Sequence, residues 1–309
     1  MRLVFFGTPD FSVPSLEALH RSRHEVAGVV TQPDRPKGRG LKPGTPPVKQ
    51  AALQYNLPIL QPHDLLEERF LEELAVLQGE LFIVVAYRIL PPEVFELPLK
   101  GTINLHASLL PKYRGAAPIQ WAIMNGDKDT GVTTFFIEKH VDTGQWLLQA
   151  VTDIREDDTA GTLHDRLADI GADLLVETVN RIEQNTIKPK AQHGEATKAP
   201  KILPEHCRID WMQPARRIMN QIRGLSPSPG AYTFLQKKRI KIYKGSVLAD
   251  DKKSTHNKGE IISARDGQFI VQTGEHCIKI LELQIEGKKR MSADEFLRGC
   301  KLSEGTILE

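Results

Sequence analysis

Seven consecutive residues, Leu81-Phe82-Ile83-Val84-Val85-Ala86-Tyr87, are apolar or aromatic with no polar break. A strand with one wet face alternates, so an unbroken run of this length reads as a strand covered on both faces. In soluble folds that means a parallel sheet with helices above and below it. The run is far short of the roughly 18 residues a membrane helix needs. Neighbouring segments fit the same scheme. Leu3–Phe6, Glu25–Thr31 and Thr102–Leu105 read as further strands. Helices are predicted through Leu16 and Leu19, over Val48–Tyr55, and over Leu65–Leu77, with Asp64 as N-cap and Glu67 completing a capping box. A short helix starts at Gly115-Ala116-Ala117-Pro118, reaches Met124 and stops at Asn125-Gly126. Val132–Ile137 and Trp146–Val151 read as paired strands. Leu163, Leu167, Ile170, Leu174, Leu175, Val179 and Ile182 recur at helical spacing as one long amphipathic helix. Strand–helix alternation of this kind predicts an α/β fold with a doubly wound, mostly parallel sheet.

The pattern changes after residue 185. Lys-Pro-Lys, Gln-His-Gly and Lys-Ala-Pro-Lys make a polar stretch, followed by a helix carrying Trp211, Ala215, Ile218 and Ile222. Short β-rich runs follow at Tyr232–Leu235, Ile240–Tyr243, Gly259–Ser263, Phe269–Gln272 and Cys277–Leu283. A second, small β-barrel is the economical arrangement. With 309 residues in all, the expected division is residues 1–188, a linker over 189–205, and residues 206–309.

Charge follows the same division. Residues 201–309 hold 20 Lys+Arg against 13 Asp+Glu, a balance of +7 that leaves −5 for residues 1–200. An acidic first part joined to a basic last part points to an anionic macromolecule at the latter, with an ordinary solvated surface as the alternative. Three cysteines without ligand spacing give neither a disulfide framework nor a metal cluster, so a reducing compartment is expected. Met1-Arg2 leads straight into the first strand with no signal or transit segment, and the expected location is cytoplasmic.

The first β–α turn, Gly7-Thr8-Pro9-Asp10, is neither a GxGxxG nor a P-loop, so the fold class does not imply a dinucleotide or a nucleoside triphosphate. Asn104-Leu105-His106 closes a strand. Side chains alternate along a strand, so Asn104 and His106 share a face at its carboxyl end, where open α/β sheets bind ligands. Asp142, in Val141-Asp142-Thr143-Gly144 after another strand, could reach the same place. An amide, an imidazole and a carboxylate supply an oxyanion donor, a proton handler and an orienting partner. Each also has a plain structural alternative: Asn104 a turn former, His106 a satisfied core histidine, Asp142 a turn residue before Gly144.

Asn104-Leu105-His106, the following Ser108-Leu109-Leu110-Pro111-Lys112-Tyr113-Arg114-Gly115-Ala116-Ala117-Pro118, and Asp142-Thr143-Gly144 together resemble the 10-formyltetrahydrofolate-dependent formyltransferases. Gly7-Thr8-Pro9-Asp10-Phe11 and the run from Thr31-Gln32-Pro33-Asp34-Arg35 to Pro36-Lys37-Gly38-Arg39-Gly40 narrow the resemblance to the methionyl-tRNA formyltransferases. Ile222-Arg223-Gly224-Leu225-Ser226-Pro227-Ser228-Pro229-Gly230-Ala231 and Gly287-Lys288-Lys289-Arg290-Met291 extend it through nearly the whole chain.

The resemblance implies a Rossmann-like formyltransferase domain and an OB-like barrel that binds tRNA. It implies formyl transfer from 10-formyltetrahydrofolate, as co-substrate and without a metal, to the α-amino group of initiator methionyl-tRNA. Asn104 would donate to the formyl oxygen, His106 would stabilise the tetrahedral intermediate and pass a proton toward the folate nitrogen, and Asp142 would pair with His106 and position a shuttling water. Ser108, Leu109, Leu110 and Pro111 match the folate-binding segment. The strand end at Val84–Tyr87 would form another wall, and Arg88 stands where the best-known members carry glycine. The basic loop Gln32–Lys42 would approach the acceptor stem of the tRNA through Arg35, Lys37, Arg39 and Lys42, with Arg39 the most important. Arg216, Arg217, Arg223, Lys237, Lys238, Arg239 and Lys241 are group candidates for phosphate contacts. A monomer is expected. The alternatives are an amino-sugar nucleotide formyltransferase, which shares the Asn–His–Asp set, and a non-catalytic RNA-binding module.

Overall fold

A computed structural model describes residues 1–37, 42–249, 256–300 and 302–309, which form two compact units. The first comprises residues 1–116, 129–153 and 164–199; the second comprises 117–128, 154–163 and 200–309.

In the first unit, β1 (Arg2–Gly7), α1 (Val13–Arg21) and β2 (Glu25–Val30) open the alternation. A small antiparallel ribbon of β3 (Arg35–Lys37) and β4 (Lys42–Gly44) follows, then α2 (Pro47–Gln54), β5 (Ile59–Leu60), α3 (Glu68–Val76), β6 (Leu81–Val85), α4 (Pro92–Phe95) and β7 (Thr102–His106). After α5 (Pro118–Asn125), which clusters with the second unit, come β8 (Asp129–Phe136), β9 (Trp146–Asp153) and the long α6 (Ala160–Glu183). The sheet order is β5-β2-β1-β6-β7-β8-β9. Its first five strands are parallel, and β8 and β9 are added antiparallel. Every residue of β6 is buried, as its unbroken apolar run requires.

Helix α3 begins later than its sequence signature. The Asp64 carboxylate accepts from Leu66 N at 3.0 Å, which makes a local turn, and Glu67 becomes the N-cap residue. The Gln32–Lys42 stretch differs too, because its ends are paired in β3 and β4 with Pro36 opposite Pro43. Two prolines facing each other can donate nothing to a ladder, so the ribbon is short.

In the second unit, α7 (Pro204–Cys207) and α8 (Ala215–Gly224) precede β10 (Ala231–Leu235), β11 (Lys238–Leu248), β12 (Ile261–Arg265), β13 (Gln268–Gln272), β14 (Cys277–Ile285), β15 (Met291–Ser292) and α9 (Ala293–Gly299). The strands run antiparallel in the order β10-β11-β14-β13-β12. The last segment joins the two edges. Ile261 N donates to Thr306 O and Leu308 N to Gly259 O on one side, while Phe234 and Glu309 exchange backbone bonds on the other. These bonds tie the last residues of the chain to both outer strands and close the sheet into a barrel. Trp211 lies in the turn before α8 rather than on it. It is buried, with Nε1 donating to Thr233 Oγ1 at 3.0 Å, a core role that satisfies its one polar atom.

Candidate active site

The carboxyl end of β7 carries Asn104 and His106 on one face, with Leu105 between them turned into the core. His106 is 7% exposed, and its Nε2 donates to Tyr113 O at 2.8 Å. A carbonyl only accepts, so this bond places a proton on Nε2 and leaves Nδ1 as the variable nitrogen. Nδ1 faces Asp142 Oδ2 at 3.7 Å. The distance is too long for a direct hydrogen bond but close enough for the carboxylate to stabilise a proton arriving on that nitrogen.

Asp142 sits in the connection between β8 and β9 and is also buried. The same Oδ2 accepts from Gly115 N at 2.8 Å. The carboxylate is thereby tied to the turn that carries Tyr113, the residue anchoring His106. Asp142 is held at φ 54° and Tyr113 at φ 60°, left-handed values for residues with side chains. Each such residue costs about 1–2 kcal/mol and persists only where its surroundings fix it. Asn104 is half-buried, and its Oδ1 is buried without a hydrogen-bond partner. An orphaned buried acceptor is uncommon, and a bound ligand is one thing that satisfies it.

The turn Ser108–Pro111 is held by one local bond and by side chains of β8 and β9. Ser108 Oγ donates to Lys112 O at 2.6 Å. Thr133, directly opposite His106 in the β7–β8 register, accepts from Leu110 N at 3.1 Å and donates to Ser108 O at 2.7 Å. Gln149 Nε2 reaches both Leu110 O and Thr133 Oγ1 at 3.0 Å. Leu110 is buried, leaving Leu109 and Pro111 as the half-exposed apolar face. On the neighbouring strand end, Tyr87 is mostly buried, and that burial pushes its phenol pKa up against the opposing charge of Arg88. Arg88 turns back onto the chain, with NH1 donating to His63 O at 2.9 Å and NH2 to Pro62 O at 2.8 Å.

The predicted tRNA contacts fall elsewhere. Arg35 and Lys37 lie on β3, Lys42 lies opposite Lys37 on β4, and Arg39 lies outside the described residues. In the second unit Arg216, Arg217, Lys237, Lys238 and Arg239 are exposed. Arg223 is not: its NH1 donates to Arg155 O at 3.0 Å and Nε to Asn220 Oδ1 at 3.0 Å, so its guanidinium is turned into its own unit. Lys241 Nζ is likewise engaged by Pro229 O. Tyr113 O, Thr133 and Gln149 had no sequence signal, because a carbonyl acceptor is sequence-blind and isolated polar residues on strands read as surface. Among the described residues no group of His, Cys, Asp and Glu is arranged to hold a metal ion, and no helix is long and apolar enough to cross a membrane.

Residues 1–179 match the family model described as "Formyl transferase", and residues 201–301 match "Formyl transferase, C-terminal domain". A methionyl-tRNA formyltransferase of Pelotomaculum thermopropionicum is 48% identical over all of this chain and 98% of its own length. Among solved structures, a methionyl-tRNA formyltransferase from Clostridium thermocellum superposes with a TM-score of 0.57 at 19% identity, covering 82% of this chain and 95% of that one. HypX from Aquifex aeolicus, solved in complex with tetrahydrofolic acid, gives a TM-score of 0.66 at 19% identity over 96% of this chain and 47% of that one. Structural likeness at such identities speaks for the fold alone. The relative that is nearly half identical from end to end speaks for more: the chain belongs to the methionyl-tRNA formyltransferase family.

Proposed function

We propose that the chain transfers a formyl group from 10-formyltetrahydrofolate to the α-amino group of initiator methionyl-tRNA, giving N-formylmethionyl-tRNA for translation initiation. The observation that carries this reading is the gathering, at one strand end, of an amide with an unsatisfied oxygen, an anchored imidazole and a carboxylate.

The folate brings the formyl group and the nitrogen that leaves with it. The substrate amine is its own nucleophile. Its reference pKa of about 7.7–8.0 leaves a useful fraction unprotonated near neutral pH, so neither an activated serine nor a metal-bound hydroxide is called for. Asn104 Nδ2 donates to the formyl oxygen as that oxygen gains charge, an interaction worth about 3–4 kcal/mol in the transition state. Its Oδ1 offers an acceptor to an N–H of the attacking amine. His106 holds Nε2–H against Tyr113 O throughout, so Nδ1 receives the proton and passes it toward the leaving nitrogen. Asp142 stabilises that imidazolium and positions a shuttling water.

Ser108, Leu109, Leu110 and Pro111 form the folate-binding turn, with Leu109 and Pro111 as the apolar surface for the pterin and the backbone as its polar edge. Arg35, Lys37, Arg39 and Lys42 approach the acceptor stem, and the exposed Arg216, Arg217, Lys237, Lys238 and Arg239 hold the tRNA backbone. The enzyme acts as a cytoplasmic monomer.

The test is direct. The purified chain is given 10-formyltetrahydrofolate with charged initiator methionyl-tRNA, and separately with a nucleotide-linked amino sugar. N-formylmethionine released by alkali from the tRNA is the expected product. Transfer to the amino sugar alone would replace the acceptor in this reading, and tRNA binding with no transfer to either would reduce the protein to an RNA-binding module.

A further inference from the structure

The polar run after α6 contains a side chain that joins the two loops on which the catalytic reading depends. Lys190 exchanges backbone hydrogen bonds with Trp146, and Arg114 N donates to Thr197 O while Ala199 N donates to Arg114 O. Between these anchors lies Gln192. Its Nε2 donates to Asp142 O at 2.9 Å and to Gly144 O at 2.8 Å. Its Oε1 accepts from Arg114 NH2 at 2.6 Å and from Arg114 Nε at 3.2 Å. Both amide hydrogens and both oxygen lone pairs are therefore in use, the full capacity of the group. Arg114 precedes Gly115, whose N–H donates to the Asp142 carboxylate, and follows Tyr113, whose carbonyl accepts from His106.

We propose that Gln192 is a positioning residue for formyl transfer. It clamps the left-handed backbone at Asp142 to the Tyr113–Gly115 turn and so sets the distance between the Asp142 carboxylate and His106. The inference rests on the reading of Asn104, His106 and Asp142 given above. Three features favour this over a general stabilising role. The two carbonyls it holds are those of the strained residue and of Gly144 two positions later. Gly144 packs so closely on β8 that a Cβ there would meet Phe136 O at 1.8 Å, so the loop passes this point as glycine only. On the other loop Gln192 engages the side chain of Arg114, next to the two backbone groups that anchor His106 and Asp142. Loss of the clamp frees the Asp142 loop without touching either substrate-facing surface.

The experiment uses Gln192→Met, which keeps bulk, and Gln192→Glu, which keeps the Arg114 contact but sets an anion against two carbonyls. Single-turnover transfer is followed with enzyme in excess, in the wild-type and Asp142→Asn backgrounds. Displacing a catalytic group by about 1 Å costs on the order of 100-fold, so each variant should lower kcat by roughly 10–100-fold. The KM for folate and for methionyl-tRNA should stay within about threefold, while Tm falls by a few degrees in both backgrounds alike because the carbonyls of buried Asp142 and Gly144 lose their donor. In the Asp142→Asn background the same substitutions should cost less than about threefold, because the group they position is no longer a carboxylate. Equal losses of kcat in both backgrounds, or unchanged kcat in both Gln192 variants, overturns the proposal. Asp142→Asn at wild-type speed would instead overturn the reading of the site on which it stands. Asp142→Asn inactive beside full-speed Gln192 variants removes the positioning role alone.

Discussion

Thr133→Val is the sharpest probe of how the predicted folate turn is built. The replacement keeps the shape and removes one oxygen from a wholly buried position. That oxygen accepts from Leu110 N and donates to Ser108 O, and both partners are buried. Gln149 loses one acceptor but keeps Leu110 O, so it is not stranded. Two buried backbone groups orphaned at about 1–3 kcal/mol each, less about 0.8 kcal/mol for the added methyl, leave a net loss of about 3 kcal/mol. At roughly 2–4 °C per kcal/mol for a unit of this size, Tm should fall by roughly 6–12 °C. Thr133→Ser keeps the hydroxyl and should lose only about 1 kcal/mol. The assay pairs thermal melts with folate titration at saturating methionyl-tRNA. The KM for folate should rise in the valine variant and stay near wild type in the serine variant. A valine variant melting within about 2 °C of wild type would show that Thr133 does not hold the turn.

Three further outcomes follow from other parts of the structure. Asn104→Ala should lower kcat by about 10²–10³ with folate affinity little changed, as stopped-time transfer assays and equilibrium binding will show. Arg223→Ala should destabilise the second unit yet leave the salt slope of tRNA binding unaltered, whereas neutralising exposed Lys238 and Arg239 should reduce that slope by about one each if both meet phosphates. His24 is buried, which lowers its pKa despite the opposing hydrogen bond that its Nε2 donates to Asn180 Oδ1. The unfolded chain therefore binds the extra proton first, and stability is lost as pH falls below about 6.5. Urea midpoints between pH 7.5 and 5 should drop for the wild type and flatten for His24→Gln.

Much of this architecture is legible in the chain because it rests on burial. The β6 run could only be a doubly covered strand, and the helical spacing of Leu163 to Ile182 is one face of α6. Asn104 and His106 are readable as a pair because strand alternation puts them on one side, and a barrel is foreshadowed by the succession of β-rich runs after Ala231. What was not legible depends on competition between local hydrogen bonds or on backbone atoms. Asp64 caps its own turn instead of α3. Arg223, one cation among several in the sequence, is turned inward by carbonyls that no pattern reveals. The polar run around Gln192 has the composition of a loose connector, yet its side chain is fully bonded because two loops from distant parts of the chain meet there.

The most direct measurement is single-turnover formyl transfer to initiator methionyl-tRNA by wild type and His106→Ala, with folate and tRNA binding measured on both proteins. A positioned acid–base group contributes about 10²–10⁴-fold, so the variant should lose at least about 100-fold in rate while binding both substrates nearly as well. A variant that transfers formyl within about threefold of wild type would contradict the assignment of the β7 strand end as the catalytic centre.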